Sequence, residues 1–517
     1  MKKIIAQTGL FLTVLISLVI LMASVRGQGG NPSPTDLNTS VWKENGPFEL
    51  SPERGHFALL YSLVENQSFF FSLPLAQFTV PDLGFINNHY VSLFAPGVSF
   101  LSIPGYWLGK VLGLSQVGAF FTISLVALTN AYLIRKISIN LGVGHLASTI
   151  AGLTFLFVTP GYAYAVNLYQ HHWSTLLVLL GILCILRPQN FTTFLQISFL
   201  SAASIPIDYP NAIFMAPIFL YSVSRLIKVE KSVSRIKVII KFLPLLGLIG
   251  ALLPLLFLFW FNQKSYANPL QISGTIKTVK GIGSDSLPLS NTQTVQPKDV
   301  IFKIEDLQRK KVATRFFKPR IMPNGLFVEF ISLDRGTLFF TPVILIGLLG
   351  IYISFKRNTG ITPLLISIFV GIIILYSMWG DPWGGWAFGS RYLIPAYAIL
   401  AIFLAQALDR FKKSFIFLLI FLVLFIYSAA VNTLGAITTS TNPPQTEILA
   451  LEKITGRQEK YTWERNWDYL NSTGSKSFVY NTYLKTFLTP VQFYWILTGS
   501  IISLGTILLI TNRFSKN

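Results

Sequence analysis

The sequence of 517 residues is poor in charge and almost free of cysteine. Only 12% of its residues are Asp, Glu, Lys or Arg, about half the share of an ordinary soluble domain, whereas 52% are hydrophobic. This shortage of charge excludes a soluble chain of several domains. The one cysteine, Cys184, lies inside an apolar run, which excludes a disulfide framework and a thiolate metal cluster.

Acidic residues are the scarcer charged class: 21 Asp and Glu stand against 41 Lys and Arg, giving a formal net charge of +20. Such an excess can indicate a nucleic-acid partner, but no basic patch lies in a soluble module. In a membrane protein the same excess arises because Lys and Arg are retained on the cytoplasmic side. We therefore expect a lipid bilayer, and no nucleic acid, as a partner.

Long apolar runs are abundant. Lys2 and Lys3 precede the run 4–25, which is long enough to span a bilayer and predicts an uncleaved anchor with its N-terminus inside. Eleven further runs predict spans, at approximately 116–134, 145–160, 172–187, 192–206, 210–226, 237–261, 337–355, 361–379, 392–408, 412–431 and 491–511. The pattern predicts an all-α polytopic membrane protein with about twelve transmembrane helices.

One further apolar segment, 93–113, contains two Pro-Gly pairs and a lysine, which break or burden a spanning helix. If it lies in the membrane interface, the short inner loops carry 18 basic residues against two acids, Glu230 and Asp409. If it spans, the same basic clusters face outward. Because the positive-inside rule is strong for short loops, we predict an interfacial or re-entrant helix.

This topology puts both termini in the cytoplasm and the long polar stretches on the outer face of a cell membrane. The predicted parts are an N-terminal anchor (1–25), a first outer loop with interfacial helices (26–115), transmembrane helices (116–261), a long outer loop (262–336), transmembrane helices with an outer loop at 379–391 (337–431), an outer segment (432–490), and a last transmembrane helix with an inner tail (491–517). Polar function is therefore expected on one side.

The stretch 48–71 predicts a helix that lies on the membrane, with Ser51 as its cap and Pro52 at its first position. Glu53 stands in the first turn of this helix. An acid there can serve the helix dipole alone, so a structural explanation of Glu53 stays open beside a functional one.

Other outer connections carry further candidates. Asp82 and His89 precede a Pro-Gly turn, and Asp208 lies in the tight connection between two spans. Each acid can also be a plain turn residue. His171 and His172 are adjacent rather than four residues apart, so we interpret them as interfacial polar residues and predict no metal site there.

Two arginines, Arg391 and Arg335, begin spans on the predicted outer side. Arginine can simply anchor a helix end, but the positive-inside rule makes it unexpected there. A pair of guanidinium groups at the mouth of a helix bundle would suit a phosphate held at membrane depth, with Tyr392 as a further donor. In "WGDPWGGWAFGSRYLIP" (379–395), glycines permit close backbone approach, and Asp381 and Trp383 are candidates for a polar pocket.

Four stretches together resemble the GT-C superfamily of membrane glycosyltransferases, most closely its protein O-mannosyltransferase and lipid A aminoarabinose transferase-like group. They are "SPERGHFALLYSLVE", "NNHYVSLFAPGVSFLSIPGYWLG", "SLDRGTLFFTPVILIGLLG" and "WGGWAFGSRYLIPAYAIL". Their order, and the layout of outer loops and short basic inner loops, resemble that of the superfamily.

The resemblance implies a donor sugar, such as mannose, on polyprenyl or dolichyl phosphate, and transfer to an acceptor hydroxyl on the outer face with inversion. The acceptor can be a protein, a lipid or a glycan. The resemblance also implies an acidic catalytic base, and Glu53 stands at the matching position. The family more usually has Asp-Glu where this chain has Pro52-Glu53, which leaves Asp82 as a competitor. No cofactor is predicted, and the need for a divalent metal stays open.

Two other function classes remain. A transporter or flippase of lipid-linked sugars would share the arginines but would need polar residues that reach toward the inner face, and the spans are nearly uncharged apart from their ends. An inactive scaffold subunit would need neither a base nor a phosphate site.

Overall fold

Each predicted span contains helix. The computed structural model describes residues 2–232, 235–289, 316–357 and 360–514. The inner-tail residue Lys516 and part of the long outer loop, 290–315, lie outside the described residues. The helices of the predicted spans are α1 Lys2–Ser24, α6 Ser115–Asn140, α7 His145–Phe157, α9 His171–Ile185, α10 Phe191–Ala203, α11 Asn211–Ser224, α12 Phe242–Leu245 with α13 Leu252–Tyr266, α15 Thr337–Phe340 with α16 Gly347–Lys356, α17 Thr362–Ser377, α18 Ile394–Arg410, α19 Phe415–Ile437 and α22 Pro490–Phe514.

The mostly helical membrane architecture is confirmed, whereas the number of twelve spans stays a prediction. Five helices in the described part of the chain are long and apolar enough to cross a bilayer: 115–140, 242–266, 391–410, 415–437 and 490–514. Seven shorter apolar helices account for the other predicted spans. Of the five, 391–410 is the most enclosed, since 89% of its apolar window is buried, so this helix forms the centre of the bundle.

Two span boundaries differ from the prediction. The span predicted at 237–261 starts later, because a β-strand occupies Arg235–Ile240 and the helix begins at Phe242. The span predicted at 337–355 is broken, with a 3-10 segment, Pro342–Ile346, between α15 and α16. Pro342 lacks a backbone N–H, so a continuous helix would lose a hydrogen bond there.

The segment 93–113 is not one long helix. It forms α4 (Gly97–Leu101) and α5 (Ile103–Val111). A helix of nine residues is about 14 Å long, well short of a hydrocarbon core of about 30 Å. The side chains of Trp107 and Leu108 are largely exposed. This geometry supports the interfacial or re-entrant assignment.

The first outer loop adds α2 (Ser51–Glu65), α3 (Leu73–Thr79) and a hairpin of β1 (Leu83–Ile86) and β2 (His89–Ser92). A third strand, β5 (Thr278–Val279), pairs antiparallel with β1 and brings the long outer loop against the first. A separate hairpin joins β3 (Ile227–Ser232) to β4 (Arg235–Ile240). These small sheets are the departure from the all-α prediction.

The remaining short helices lie in the predicted outer regions. They are α8 Gly161–Ala165, α14 Met322–Phe330, α20 Ile448–Thr455 and α21 Glu464–Ser472.

The predicted outer and inner loops lie at opposite ends of the bundle, because the members of each set contact one another. Contacts between predicted outer loops are Tyr169–Glu53, Arg335–Trp383, Gln445–Asp334 and Ser440–Glu49. Contacts between predicted inner loops or helix ends are Arg135–His145, Arg225–Ile185 and Arg357–Asp409. Which end faces the cytoplasm stays a prediction.

A buried ion cluster of Arg26, Glu49 and Lys476 fixes the first outer loop to the bundle. Arg26 Nη1 lies 3.0 Å, and Lys476 Nζ 2.8 Å, from the carboxylate of Glu49. The remaining lone pairs of Glu49 accept from the Thr439 hydroxyl (2.6 Å) and the Ser440 N–H (2.7 Å). The guanidinium of Arg26 also donates to two carbonyls at the end of α19. Four sequence-distant segments are thereby held together beneath α2.

Candidate active site

Glu53 lies fully buried at the start of α2, with one carboxylate oxygen bonded and the other free. Its Oε1 accepts from the Tyr169 hydroxyl at 3.2 Å and from the Leu50 N–H at 3.3 Å. Its Oε2 is buried and has no hydrogen-bond partner among the described residues. The hydrogen bond from the Leu50 N–H stabilises the start of α2, as the structural explanation of Glu53 predicts for Oε1. The unpartnered Oε2 can accept a further hydrogen bond.

The pKa of Glu53 is raised to about 8, first by burial and then by the neighbouring Glu49. The positive charge of Arg26, the Leu50 N–H and Lys476 oppose this increase. A carboxyl group with such a pKa is close to half-protonated in mildly alkaline solution. It is therefore largely protonated at neutral pH, and its ionised form, which becomes common near pH 8, is a stronger base than an ordinary glutamate.

The predicted cap of α2 is wrong. The cap position is Leu50, and Ser51 is the first helical residue. The Ser51 hydroxyl donates instead to Oδ2 of Asp82. Asp82 is thus half-buried beside the first turn of the helix that carries Glu53. Both first-loop acids therefore lie at the same end of α2, and Glu53 is the more enclosed.

Arg391 lies between two aromatic rings. The guanidinium carbon is 5.4 Å from the ring centre of Tyr169 and 5.5 Å from that of Tyr392. Tyr392 in turn stacks on Tyr376, with ring centres 4.4 Å apart and planes at 4°. The aromatic rings keep the cation in a fixed orientation.

Gly384 lets the outer loop close onto Arg391. Nη2 of Arg391 donates to the Gly384 carbonyl at 2.6 Å. Gly384 has φ +69°, and a Cβ there would lie 3.1 Å from Nε of Arg391 and 3.3 Å from the Tyr392 ring. Nε and Nη1 of Arg391 are buried and unpartnered among the described residues. These two N–H-bearing atoms can bind an anion without losing a bond within the protein.

Tyr169 connects the two predicted halves of the site. Its hydroxyl donates to Glu53, and its ring faces Arg391. A carboxyl group and a guanidinium that are 338 positions apart in sequence therefore stand at the edge and the face of one buried ring. Their joint position is the main geometric finding at this site.

Asp208 belongs to the same region, at the turn between α10 and α11. Nε2 of Gln170 donates to its Oδ2 at 3.4 Å. Burial raises the pKa of Asp208 to about 6, while the Gln170 bond and the nearby charge of Arg391 oppose the increase. Gly97 of the Pro-Gly segment packs on this turn, since its N–H donates to the Pro206 carbonyl at 2.6 Å, and a Cβ would lie 2.6 Å from that oxygen.

Two histidines enter the site. His56 follows Glu53 by three residues on α2, and both of its ring nitrogens are buried and unpartnered among the described residues. Burial lowers the pKa of His56 to about 4, so its ring is neutral. The ring of His171 stacks on Tyr169, with ring centres 5.9 Å apart, and its Nε2 is also unpartnered within the described chain. His171 is therefore buried beside Tyr169, whereas the sequence predicts only an interfacial polar residue.

Arg335 has a different environment from the one predicted for a phosphate ligand. Its guanidinium is buried and donates to four backbone carbonyls, those of Asp334, Trp383, Gly385 and Asn442, at 2.7–3.1 Å. These bonds leave little capacity for an anion. Arg335 holds the loop around Trp383 in place, so its contacts do not support the predicted role of Arg335 in binding the phosphate.

Asp381 and Trp383 shape this loop. Oδ2 of the exposed Asp381 accepts from the Gly385 N–H at 2.6 Å and closes the turn. The carbonyl of Trp383 is bound by Arg335. His89 lies on the exposed hairpin and stacks on Phe70 at 4.1 Å. Among the described residues, no hydrogen bond or ring contact links His89 to Glu53 or Arg391.

No group of three or more His, Cys, Asp or Glu side chains within the described ranges is placed to hold a metal ion. The geometry instead supplies a cation, a carboxyl group of raised pKa and several unpartnered buried amide and imidazole atoms. This set can bind an anion beside a polyhydroxyl ligand and can accept a proton.

Residues missed by sequence reasoning are Tyr169, Gln170, His56 and Tyr376. Tyr169 and Gln170 stand in "TPGYAYAVNLYQHH" (159–172), a connection rich in polar and aromatic residues, whereas His56 and Tyr376 lie elsewhere in the sequence. That signal was available, but nothing in it distinguishes Tyr169 from its neighbour Tyr164, whose hydroxyl accepts from the Phe388 N–H.

No protein-family model matches this chain, and no curated protein matches it. Among solved structures it is similar to ArnT from Cupriavidus metallidurans, both in the apo state and bound to undecaprenyl phosphate. The TM-score is 0.45 for each, with 12% and 13% identity over 98% of this chain and 78% and 77% of ArnT. It is also similar to the Archaeoglobus fulgidus oligosaccharyltransferase in complex with zinc and sulfate, with a TM-score of 0.41 and 14% identity over 89% of this chain and 57% of that one. The mannosyltransferase branch of the predicted resemblance stays a prediction.

Proposed function

We propose that the chain is an integral membrane glycosyltransferase that moves a sugar from a polyprenyl-phosphate donor to an acceptor hydroxyl on the outer face. The observation that carries the proposal is the joint placement of Glu53 and Arg391 around Tyr169. A phosphate at Arg391 would have its sugar directed toward the acid, and both groups have unused hydrogen-bonding atoms.

Arg391 would bind the donor phosphate through Nε and Nη1. When the bond between the anomeric carbon and the phosphate oxygen breaks, the phosphate gains negative charge. A cation that is already fixed by rings and by Gly384 favours this transition state over the ground state. Tyr392, whose ring lies 5.5 Å from the guanidinium carbon of Arg391, would be an additional donor to the phosphate.

Glu53 would accept the proton of the acceptor hydroxyl as that oxygen attacks the anomeric carbon. A single displacement inverts the anomeric configuration. Glu53 is preferred to Asp82 because its free oxygen is buried next to Tyr169, whereas Asp82 is bonded to Ser51. Asp208 and His56 would contact sugar hydroxyls.

A surface groove between α11 and α17 would suit the lipid part of a lipid-linked donor. It has a volume of about 700 Å³ and is lined by apolar residues such as Ile213, Leu220 and Leu364. Phe214, the neighbour of the lining residue Ile213 on α11, has its ring 5.8 Å from that of Tyr376. An isoprenoid chain could lie there without polar partners.

The runner-up function is a flippase or transporter of lipid-linked sugars, which would need a phosphate site but no base. The raised pKa and free oxygen of Glu53 favour the enzyme.

The test is incubation of the detergent-purified full chain with labelled sugars on undecaprenyl phosphate, the lipid bound to ArnT in one similar structure. An enzyme releases free undecaprenyl phosphate as it passes the sugar to an acceptor hydroxyl, or to water in place of the acceptor, and a transporter releases none. We expect Glu53→Gln to lower the rate by about 100- to 10,000-fold. Glu65→Gln, at the far end of the same helix, is the matched control and should keep the wild-type rate. If Asp82→Asn is inactive and Glu53→Gln is not, Asp82 is the base.

A further inference from the structure

A surface groove lies between α1, α6 and α7, in the half of the bundle that ends at the predicted inner loops. It has a volume of about 370 Å³ and extends from Leu10 to Ser17 on α1 and from Leu128 to Arg135 on α6. Seven residues of helix rise about 10 Å, so the groove is elongated along the helices. It shares no lining residue with the groove between α11 and α17 and contains neither Glu53 nor Arg391.

The wall of this groove is largely apolar. Val14 and Leu153 line it from α1 and α7. Two threonines also line it, but Thr13 and Thr129 donate their hydroxyls to carbonyls of their own helices, each at 2.8 Å. Phe11, beside the groove on α1, is 66% exposed. Because lipid chains are as apolar as such side chains, this surface can contact lipid without losing a hydrogen bond.

A cation stands at the end of the groove that lies next to the loop between α6 and α7. Nε of Arg135 donates to the Thr149 hydroxyl at 3.0 Å, and its Nη2 lies 3.4 Å from Nδ1 of His145. Nη1 makes no hydrogen bond, and the guanidinium makes no ion pair, within the described chain. Asp409, a carboxylate at the same end of the bundle, is paired with two other cations. Arg135 is therefore oriented by two side chains and keeps a donor free.

An apolar groove that ends at an unpaired cation is complementary to an anionic lipid. The acyl chain needs no polar partner, and the phosphate accepts charge-assisted hydrogen bonds from a guanidinium. A zwitterionic lipid fits less well, because its ammonium group would face Arg135 while Asp409 is already paired. A plain helix-end arginine that reaches into water would show no such preference between lipids.

We propose that the groove between α1, α6 and α7 binds one anionic glycerophospholipid, with its phosphate at Arg135 and an acyl chain along Val14 and Leu153. The site is separate from the proposed catalytic site and does not depend on the proposed function. The bound lipid would contact all three helices, so it would fasten the N-terminal helix α1 to the bundle.

The test is a titration of the detergent-purified full chain with phosphatidylglycerol or phosphatidylcholine of identical acyl chains, with bound lipid counted by native mass spectrometry. Wild type should bind one phosphatidylglycerol about 10-fold or more tightly than phosphatidylcholine, as expected for hydrogen bonds to a charged group. Arg135→Gln should lose this preference. Arg187→Gln, an exposed arginine at the same end of the bundle but outside the groove, is the matched control and should keep it.

A second variant tests the groove itself. Val14→Trp fills the groove and leaves Arg135 in place, so it should weaken phosphatidylglycerol binding as much as Arg135→Gln does. Glycerol phosphate, which carries the anionic group without acyl chains, should not displace the lipid.

Equal affinity of wild type for the two lipids, or an unchanged preference in Arg135→Gln, overturns the inference. Unchanged binding by Val14→Trp does so too, because the lipid would then lie outside the groove, and displacement by glycerol phosphate would indicate a site for soluble phosphate instead. Thermal unfolding without added lipid verifies that each variant is folded. Arg135→Met and Thr129→Trp replace the corresponding variant if it is not.

Discussion

The difference in stability between wild type and Glu53→Gln should depend on pH in a way that distinguishes a buried acid of raised pKa from a plain helix-start residue. The pKa of Glu53 is about 8 in the fold, against 4.5 as the ordinary value. Between these values the unfolded chain has lost the proton while the folded chain keeps it, so the fold loses stability as pH rises. Glutamine does not titrate and escapes this loss.

The magnitude follows from the shift. Each pH unit in this window costs about 1.4 kcal/mol, so at pH 7 the wild type carries a penalty of order 3 kcal/mol that Glu53→Gln lacks. Below pH 4.5 both states of the wild type are protonated and the penalty vanishes. We therefore expect Glu53→Gln to be more thermostable than wild type at pH 7.5, and the two to converge near pH 5.

The assay is thermal unfolding of both proteins in the same detergent from pH 5 to 8.5, with the difference in Tm followed against pH. Other titrating groups are common to both proteins and cancel in that difference. If Glu53 only supports the helix start, Glu53→Gln should be less stable by about 0.3–1 kcal/mol at every pH above the ordinary pKa. A difference of that sign, or one that does not change with pH, refutes the reasoning.

Three further predictions concern the scaffold. Glu49→Gln should destabilise the fold by about 3–5 kcal/mol in chemical or thermal unfolding, because it leaves two buried cations without their carboxylate, and a loss below 1 kcal/mol would contradict this. Gly384→Ala should lower turnover more than stability, since the added methyl presses on Arg391 at a positive φ; wild-type kinetics would show that this contact is unimportant. A cysteine at Ser472 should react with an impermeant thiol reagent outside intact cells and one at Ser232 should not, and the reverse pattern would invert the topology.

The sequence predicts the helices well, because long apolar runs report burial in lipid or in the bundle without reference to partners. It also predicts an interfacial or re-entrant segment at 93–113, because the positive-inside rule applied to distant loops disfavours a span there, and this stays a prediction. Strand pairing between β1 and β5 is not predictable in this way. It joins residues nearly 200 positions apart, and two-residue strands leave no periodic pattern.

The candidate site was predictable in its residue types and less so in its roles. Arg391 stands out because the positive-inside rule makes an outer arginine unexpected, whereas Glu53, which also has a helix-start explanation, stands out only through the family resemblance. Arg335 stands out equally in the sequence. Its guanidinium nevertheless donates its hydrogen bonds to backbone carbonyls, which come close to it only when the loop is folded. Tyr169 gave no separate signal, because a tyrosine in an aromatic-rich stretch is ordinary until its contacts with Glu53 and Arg391 are known.

The most direct test of the central claim is a single-turnover assay of Arg391 variants with a labelled sugar on undecaprenyl phosphate. The account predicts that Arg391→Ala, in folded protein, releases free undecaprenyl phosphate at least about 100-fold more slowly than wild type. Arg391→Lys should recover only part of the rate, because it keeps the charge and loses the planar donor pair. Full activity in Arg391→Ala would contradict the account and remove the phosphate site from this part of the molecule.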